Sequence, residues 1–300
     1  MKVTLAVILI ALTGLMGTLI GAWTLQPELI GVERLSELPN PKPTARIPYG
    51  DDPLQFGDLR LPPGAGPHPV VVVIHGGCWR AQYNIDHIGA FSDALTKEGV
   101  ATWAVEYRRV GNPGGGWPGT FQDIAAAVDH LRNVADEYPI DLERVVAVGH
   151  SAGGHLVLWL GARGKIADVT LRGDDPLPLK GVVSLAGVDD LRRALDEGVC
   201  DDMAAELIGG SPDDVPERYV QGSPIELLPT GMPQHLINGA RDPIVPEAFG
   251  HAYKAAGQRA GDSVELTVLP DAGHFELIVP SPTTSAWTSV RDAILEMLKR

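Results

Sequence analysis

Two hydrophobic rhythms alternate from about residue 50 to the C-terminus. Short, almost unbroken apolar runs predict strands at 54–61, 70–75, 101–107, 145–149, 181–185, 234–238 and 263–269. Between them, apolar positions three or four residues apart predict helices at 86–97, 121–136, 152–162, 246–260 and 284–298. The middle runs, such as VVVVI at 70–74, have no polar alternate positions, as expected of strands covered on both faces. Strand and helix in alternation predict an α/β fold with a mostly parallel, doubly wound sheet. The stretch 188–230 breaks the rhythm. It carries no strand signal and reads as a small helical cap over the strand ends, where sheets of this class bind ligands.

The N-terminus follows a third pattern. Lys2 precedes an uncharged apolar stretch over residues 3–23, long enough to span a bilayer and longer than the usual core of a signal peptide. Ala22 offers a cleavage point, but Ile20 is not the small residue preferred two positions earlier. Residues 1–23 are therefore expected to be a transmembrane anchor or a signal peptide. A buried core helix is the weaker reading, because nothing amphipathic appears. Lys2 on one side, with Glu28 and Glu33 on the other, puts the N-terminus in the cytoplasm. The rest of the chain is then expected outside it, membrane-anchored or secreted to the periplasm or beyond. Residues 24–45 are expected to be a linker, and the Pro-rich LPNPKPTARIPYG at 38–50 reads as a stiff tether. Residues 46–300 are long enough for one catalytic domain with a full core. The net charge of −14 over 300 residues argues against nucleic-acid binding, which wants a basic face.

One junction carries candidate chemistry. In VVAVGHSAGGHLVLWL (145–160) an apolar strand meets a helix at Gly149-His150-Ser151-Ala152-Gly153. Glycine stops strands and serine caps helices, so the pentapeptide alone is a weak signal. Its place between strand and helix is the setting of a nucleophile elbow, in which Ser is strained and its neighbours two residues away are nearly side-chain-free. A serine hydroxyl needs a base, and the base needs an orienting acid. In hydrolases built on such a sheet the chain order is Ser, then Asp or Glu, then His. Asp242 in NGARDPIVP and His274 in PDAGHFELI each follow a predicted strand. Successive parallel strands end on one edge, so both loops should open beside Ser151. Asp271 and Glu276 are rival acids, with Asp271 read as shaping the turn into His274. His150 and His155 read as packing residues, His150 also as a candidate for the pocket wall, and His251 as a surface helix residue.

A tetrahedral intermediate also needs backbone donors for its oxyanion. The N–H of Ala152 is one candidate. VVVVIHGGCWR (70–80) supplies the others, because a strand runs there into two glycines that let N–H groups turn toward a substrate. Gly76, Gly77 and Cys78 are the candidates, with Gly77 and Cys78 favoured. His75 is read as bracing this loop. Trp79 and Trp117 join His150 as candidate pocket residues, and packing is an equal reading for Trp117. Arg108 and Asp123 are expected to form a structural pair. Two cysteines, Cys78 and Cys200, are too few for a disulfide framework. Two unrelated buried thiols are expected, although an exported protein permits a single bridge. The chain contains no H-E-x-x-H, C-x-x-C or clustered carboxylates, so neither a metal nor a cofactor is expected.

On these residues the chain resembles the α/β-hydrolases related to kynurenine formamidase and bacterial feruloyl-esterase-like (BD-FAE-like) proteins, and more widely the hormone-sensitive-lipase-like esterases. The resemblance is carried by HGGCW (75–79), GHSAGGHL (149–156), GARDPIVP (239–246), AGHFELIVP (272–280) and, in the cap, LIGGSPDDVPERYVQGSPIELLP (207–229). It implies a triad of Ser151, Asp242 and His274 with an oxyanion hole around Gly76, Gly77 and Ala152. It implies hydrolysis of a small ester, short-chain or aryl, through an acyl-enzyme. Arylformamide hydrolysis by the same residues is the alternative. Where lipase-like members have a third glycine, this chain has Cys78 followed by Trp79, which favours the formamidase-like branch. The apolar N-terminus points the other way, since a tryptophan-catabolic enzyme would normally be cytoplasmic. The implied partners are a small ester or amide, no nucleic acid, and a membrane if residues 1–23 are retained. The reading from another class, a binding module on a dead hydrolase fold, is opposed by the complete triad.

Overall fold

The computed structural model describes residues 28–300. The expected anchor or signal at 1–23 lies outside the described residues. Among the described residues, eight strands form one sheet: β1 (Ala45–Pro48), β2 (Phe56–Arg60), β3 (His68–Ile74), β4 (Ala101–Val105), β5 (Ile140–His150), β6 (Gly181–Leu185), β7 (Gln234–Gly239) and β8 (Val264–Leu269). Their order is β1-β2-β4-β3-β5-β6-β7-β8. β1 pairs with β2 and β2 with β4 in antiparallel fashion, and every later pairing is parallel.

The unbroken valine run of β3 has a direct cause. Val70, Val72 and Ile74 belong to the core on one face of the sheet, and Val71 and Val73 to the core on the other. Each such buried aliphatic side chain stabilises the fold by about 1.5–3 kcal/mol. Phe121, Trp159 and Phe249 cover the first face, from helices Gly119–Asp129, Ala152–Ala162 and Ala248–Ala260. Phe91 and Trp287 cover the second, from helices Gly89–Lys97 and Ser285–Met297. The strand order reverses at β3: the chain leaves it for β4 on one side and comes back to β5 on the other. The loops leaving β3 and β5 therefore part, and a crevice opens at their C-terminal ends.

Several expected elements take a different form. The helix expected at 121–136 is two, Gly119–Asp129 and Leu131–Glu137, meeting at His130. The helix expected from residue 86 opens as a 3₁₀ turn, Ile85–Ile88, before Gly89–Lys97. The stretch expected as a tether is docked on the body. Arg46 pairs with Asp58 through two bonds of 2.8 and 2.9 Å, and the Tyr49 hydroxyl donates to the Glu106 carbonyl at 2.6 Å. Proline is tolerated in β1 because β1 is an edge strand. Before it, Glu33–Glu37 forms a short helix. Residues 188–230 carry the helices Leu191–Asp196, Met203–Ile208 and Pro216–Gly222. The expectation of two unrelated thiols is corrected: Cys78 and Cys200 form a disulfide with Cα atoms 5.6 Å apart. The fold brings together residues 122 positions apart, a proximity that no local pattern reports. Among the described residues no helix is long and apolar enough to cross a membrane.

Candidate active site

Ser151 sits between the end of β5 and the start of helix Ala152–Ala162, with φ 57° and ψ −120°. That region costs a non-glycine residue roughly 1–3 kcal/mol, so the surroundings must impose it. A Cβ added to Gly149 would lie 2.1 Å from the Gly153 carbonyl oxygen, and one added to Gly153 would lie 2.2 Å from that of Ile74. The helix reaches the end of β3 only because both positions are glycine. The Ser151 N–H is fixed to the Leu185 carbonyl on β6 at 2.8 Å. The positive end of the helix dipole then points at the serine.

Asp242 leaves β7 and His274 leaves β8, and the two meet. Their bond runs from His274 Nδ1–H to Asp242 Oδ2 at 2.6 Å. The other carboxylate oxygen accepts the N–H groups of Ile244 and Val245 at 2.8 and 2.9 Å. Asp242 is thus both a turn former and a histidine partner, two readings that compete in the sequence but coexist here. With Nδ1 engaged, Nε2 is the His274 nitrogen left for proton transfer, and His274 lines the same cavity as Ser151. His150 lines it too. Its Nε2–H donates to the His274 carbonyl at 3.0 Å. Burial, and then the neighbouring His274, push His150 well below the usual histidine range, so it stays neutral. Asp271 lies exposed in the turn before His274. Glu276 accepts the N–H of Gly273 at 2.9 Å and that of Ile30 at 2.6 Å. Neither is the acid that meets His274.

The loop after β3 crosses close to Ser151. A Cβ on Gly76 would stand 2.9 Å from the Ser151 Cβ. Gly77, Cys78 and Trp79 follow with φ of 105°, 48° and 54°. Gly77 and Cys78 line the cavity. Ala152, fully buried, begins the helix, so its N–H has no intrahelical acceptor. Beneath the loop, the His75 Nδ1–H donates to the Gly76 carbonyl at 2.8 Å, and Arg109 reaches both His75 and Glu106. Burial alone would raise the Glu106 carboxyl, but the bonds and charges of His75 and Arg109 outweigh it and hold the group at about 2. His75 therefore braces the loop, as expected. The disulfide ties Cys78 to the inserted helices, and Arg80 pairs with Asp201 beside it at 2.7 Å. Arg108 and Asp123 form the expected structural pair through three bonds of 2.6–2.9 Å.

Two expected pocket residues are elsewhere. Trp79 is fully buried in the core, where its indole N–H donates to His155 Nδ1 at 3.2 Å. His155 in turn donates to the Gly222 carbonyl at 2.8 Å and is lowered to about 4 by burial. The left-handed backbone at Cys78 and Trp79 turns the first toward the cavity and the second away. Trp117 packs edge-on against Phe121, ring centroids 5.1 Å apart, outside the cavity lining.

The cavity holds about 200 Å³. Six of its walls went unread in the sequence: Val32, Leu35, Tyr83, His87, Ile244 and Phe275. Val32 and Leu35 do leave a trace: with Leu38 they are apolar positions three apart among the charged and polar residues of GVERLSELP (31–39). The cap expected over the strand ends contributes no lining residue among those described; segment 28–38 forms that wall. No group of three or more His, Cys, Asp or Glu among the described residues could hold a metal ion.

A family model, BD-FAE, matches residues 58–256, a span that takes in the HGGCW loop, the elbow and Asp242. The chain belongs to the BD-FAE family. This BD-FAE member is 28% identical over 243 residues to Esterase LipC of Mycobacterium tuberculosis, covering 78% of this chain and 60% of that one. It is 29% identical over 154 residues to a kynurenine formamidase of Meyerozyma guilliermondii, covering 50% and 55% of the two chains. A truncated carbohydrate esterase from gut microbiota superposes with TM-score 0.73 at 23% identity, over 85% of this chain and 95% of that one. The fold is that of the α/β-hydrolases. The chain spans about 60% of the length of the first curated relatives it matches.

Proposed function

We propose that this BD-FAE protein is a serine hydrolase of small carboxylic esters. The observation that carries the reading is the His274–Asp242 hydrogen bond, set at one cavity with a Ser151 held in left-handed backbone. In the proposed cycle His274 Nε2 takes the Ser151 hydroxyl proton as Oγ attacks the acyl carbon. Asp242 holds the imidazolium. The N–H groups of Ala152 and of Gly77 or Cys78 receive the oxyanion, a contribution of roughly 3 kcal/mol for each donor. Collapse expels the alcohol, which leaves with the proton from His274. Water, deprotonated by the same nitrogen, then releases the acid and restores Ser151. A cavity of about 200 Å³ lies below the roughly 300–1,000 Å³ of drug-sized clefts, which supports a short acyl or aryl ester.

The kynurenine formamidase relative supports a second reading, hydrolysis of an arylformamide by the same residues. The disulfide supports a location outside the cytoplasm, since such bridges persist in oxidising compartments. The apolar residues 3–23 support export, anchored or secreted. The test is kcat/KM on phenyl acetate and N-formylkynurenine side by side, with labelling by a fluorophosphonate. A preference for the acetate and a label on Ser151 are expected. Preference for the formamide transfers the conclusion to the second reading. A label elsewhere, or none, overturns both.

A further inference from the structure

Segment 28–38 was expected as part of a linker, yet it bridges the active-site crevice. At one end the Ile30 N–H donates to Glu276 Oε1 at 2.6 Å, two residues beyond His274. At the other, Arg60 donates to the Pro41 carbonyl at 3.0 Å and Asn40 to Asp86 at 3.2 Å. Between these anchors the chain is exposed except where it turns inward. Leu35 is 4% exposed, while Val32 stays 39% exposed, and both line the cavity of Ser151. The same two residues also line a neighbouring groove with Tyr83 and His87, so they stand on the oxyanion-loop side of Ser151.

We infer that residues 28–38 are a strap whose Val32 and Leu35 form the end wall of the acyl subsite and set the length of acyl chain the enzyme accepts. The inference rests on the esterase reading and deepens it. His274 must protonate the departing alcohol, so the alcohol leaves toward His274, Ile244 and Phe275. The acyl chain is then directed the other way, toward Tyr83, His87 and the strap. Among the described residues the cavity lining includes no Lys or Arg, so none of them pairs with a charged acyl group. The substrate class is therefore an ester with a short, uncharged, apolar acyl chain. The strap begins five residues after the apolar stretch 3–23 and lies within the expected linker 24–45, so part of that linker also walls the site.

The experiment uses the full chain and two ester series. One varies the acyl group from acetyl to decanoyl on p-nitrophenol; the other varies the alcohol from methanol to hexanol on acetate. Rates are scaled to the fraction of protein titrated by a fluorophosphonate, so misfolded molecules do not count. Leu35→Ala and, at the more exposed position, Val32→Ala should raise the octanoate-to-acetate ratio of kcat/KM by about tenfold, since one to two methylenes in an apolar pocket carry that discrimination. Leu35→Trp should lower the hexanoate-to-acetate ratio by a similar factor. The alcohol profile should keep its shape in all three. Acyl ratios within twofold of wild type in all three variants, or a change confined to the alcohol series, would overturn the strap assignment while leaving the esterase reading intact. A wild type that hydrolyses neither series and takes no label overturns both.

Discussion

The floor and the roof of the cavity are built differently. The floor comes from the ends of β3, β5, β7 and β8, and its side chains are almost wholly buried: Ser151 at 3%, His274 at 4% and His75 at 0% exposure. It is cross-braced by His150 on the His274 carbonyl, by Glu106, Arg109 and His75 under the loop, and by the disulfide at Cys78. The roof is a short stretch of chain, residues 28–38, pinned by one backbone bond at Glu276 and a few polar contacts at Asn40 and Pro41. The proposed proton transfer and oxyanion binding would need atoms held to within a fraction of an ångström, and a floor braced in this way suits that need. Admission of a substrate needs a surface that fits a class, and a roof with few bonds can supply that.

Changes in the floor should have the largest effects. Ser151→Ala should lower kcat/KM by at least about 10⁴-fold with an unaltered circular dichroism spectrum, because the proposed nucleophile is lost and the fold is not. Asp242→Asn should approach the same loss, because the amide can present N–H to His274 Nδ1 and force the wrong tautomer. Retained turnover by purified Ser151→Ala would break the comparison outright. Next comes the brace between the floor and the inserted helices. Cys200→Ser should destabilise the protein by about 2–4 kcal/mol in urea unfolding, since the bridge closes a loop of 122 residues. It should also lower kcat by about tenfold, less than the loss of a whole oxyanion donor. A variant that is as active as wild type would show that Cys78 holds its left-handed backbone without the bridge.

Acid should attack the floor as well. His155 is lowered to about 4 by burial, so the folded state keeps it neutral where the unfolded chain takes a proton near 6.5. That stability is complete above pH 6.5, falls as pH drops toward 4, and is fully lost below it, for a total of about 3 kcal/mol. Glu106 adds a second step. Its folded value of about 2 against a usual 4.5 gives stability that is present above pH 4.5 and lost as pH falls through 2. Urea midpoints at pH 7.5 and 4.5 check the first step. Equal midpoints would mean that burial does not hold His155, or the likewise lowered His87 and His150, neutral in the folded protein.

What the sequence reveals divides along the same line. The floor is legible because its signals are local. A valine run read by two cores, a serine between two glycines, and loops that follow parallel strands all put Ser151, Asp242 and His274 at one edge without any knowledge of long-range contact. Trp79 misleads because the left-handed φ at Cys78 and Trp79 reverses which side chain faces the cavity, and alternation cannot register that reversal. The Cys78–Cys200 pairing and the docking of residues 28–48 depend on contacts between segments far apart in sequence. Proline-rich composition there describes a stiff chain, which is equally suited to a tether and to an edge strand with a strap before it.

The smallest expected effect is also the one that separates roof from floor most cleanly. Glu276 lies two residues past His274 but binds the roof: one carboxylate oxygen accepts the Ile30 N–H and the other the Gly273 N–H. Glu276→Gln replaces one acceptor with a donor that faces an N–H, so one of the two bonds is lost. Bonds to a charged acceptor contribute about 1.5–3 kcal/mol, and the bond expected to go is the one to Ile30, because Gly273 stands three residues away in the same loop, while Asn40 and Pro41 still hold the strap at its other end. The outcome should be a rise in KM of about threefold to tenfold on hexanoate esters, with kcat changed by less than twofold. If instead kcat falls and KM holds, then Glu276 acts through the Gly273 N–H on the placement of His274. The strap would then be a passenger on the histidine loop, and the line between roof and floor would have to be redrawn to include it.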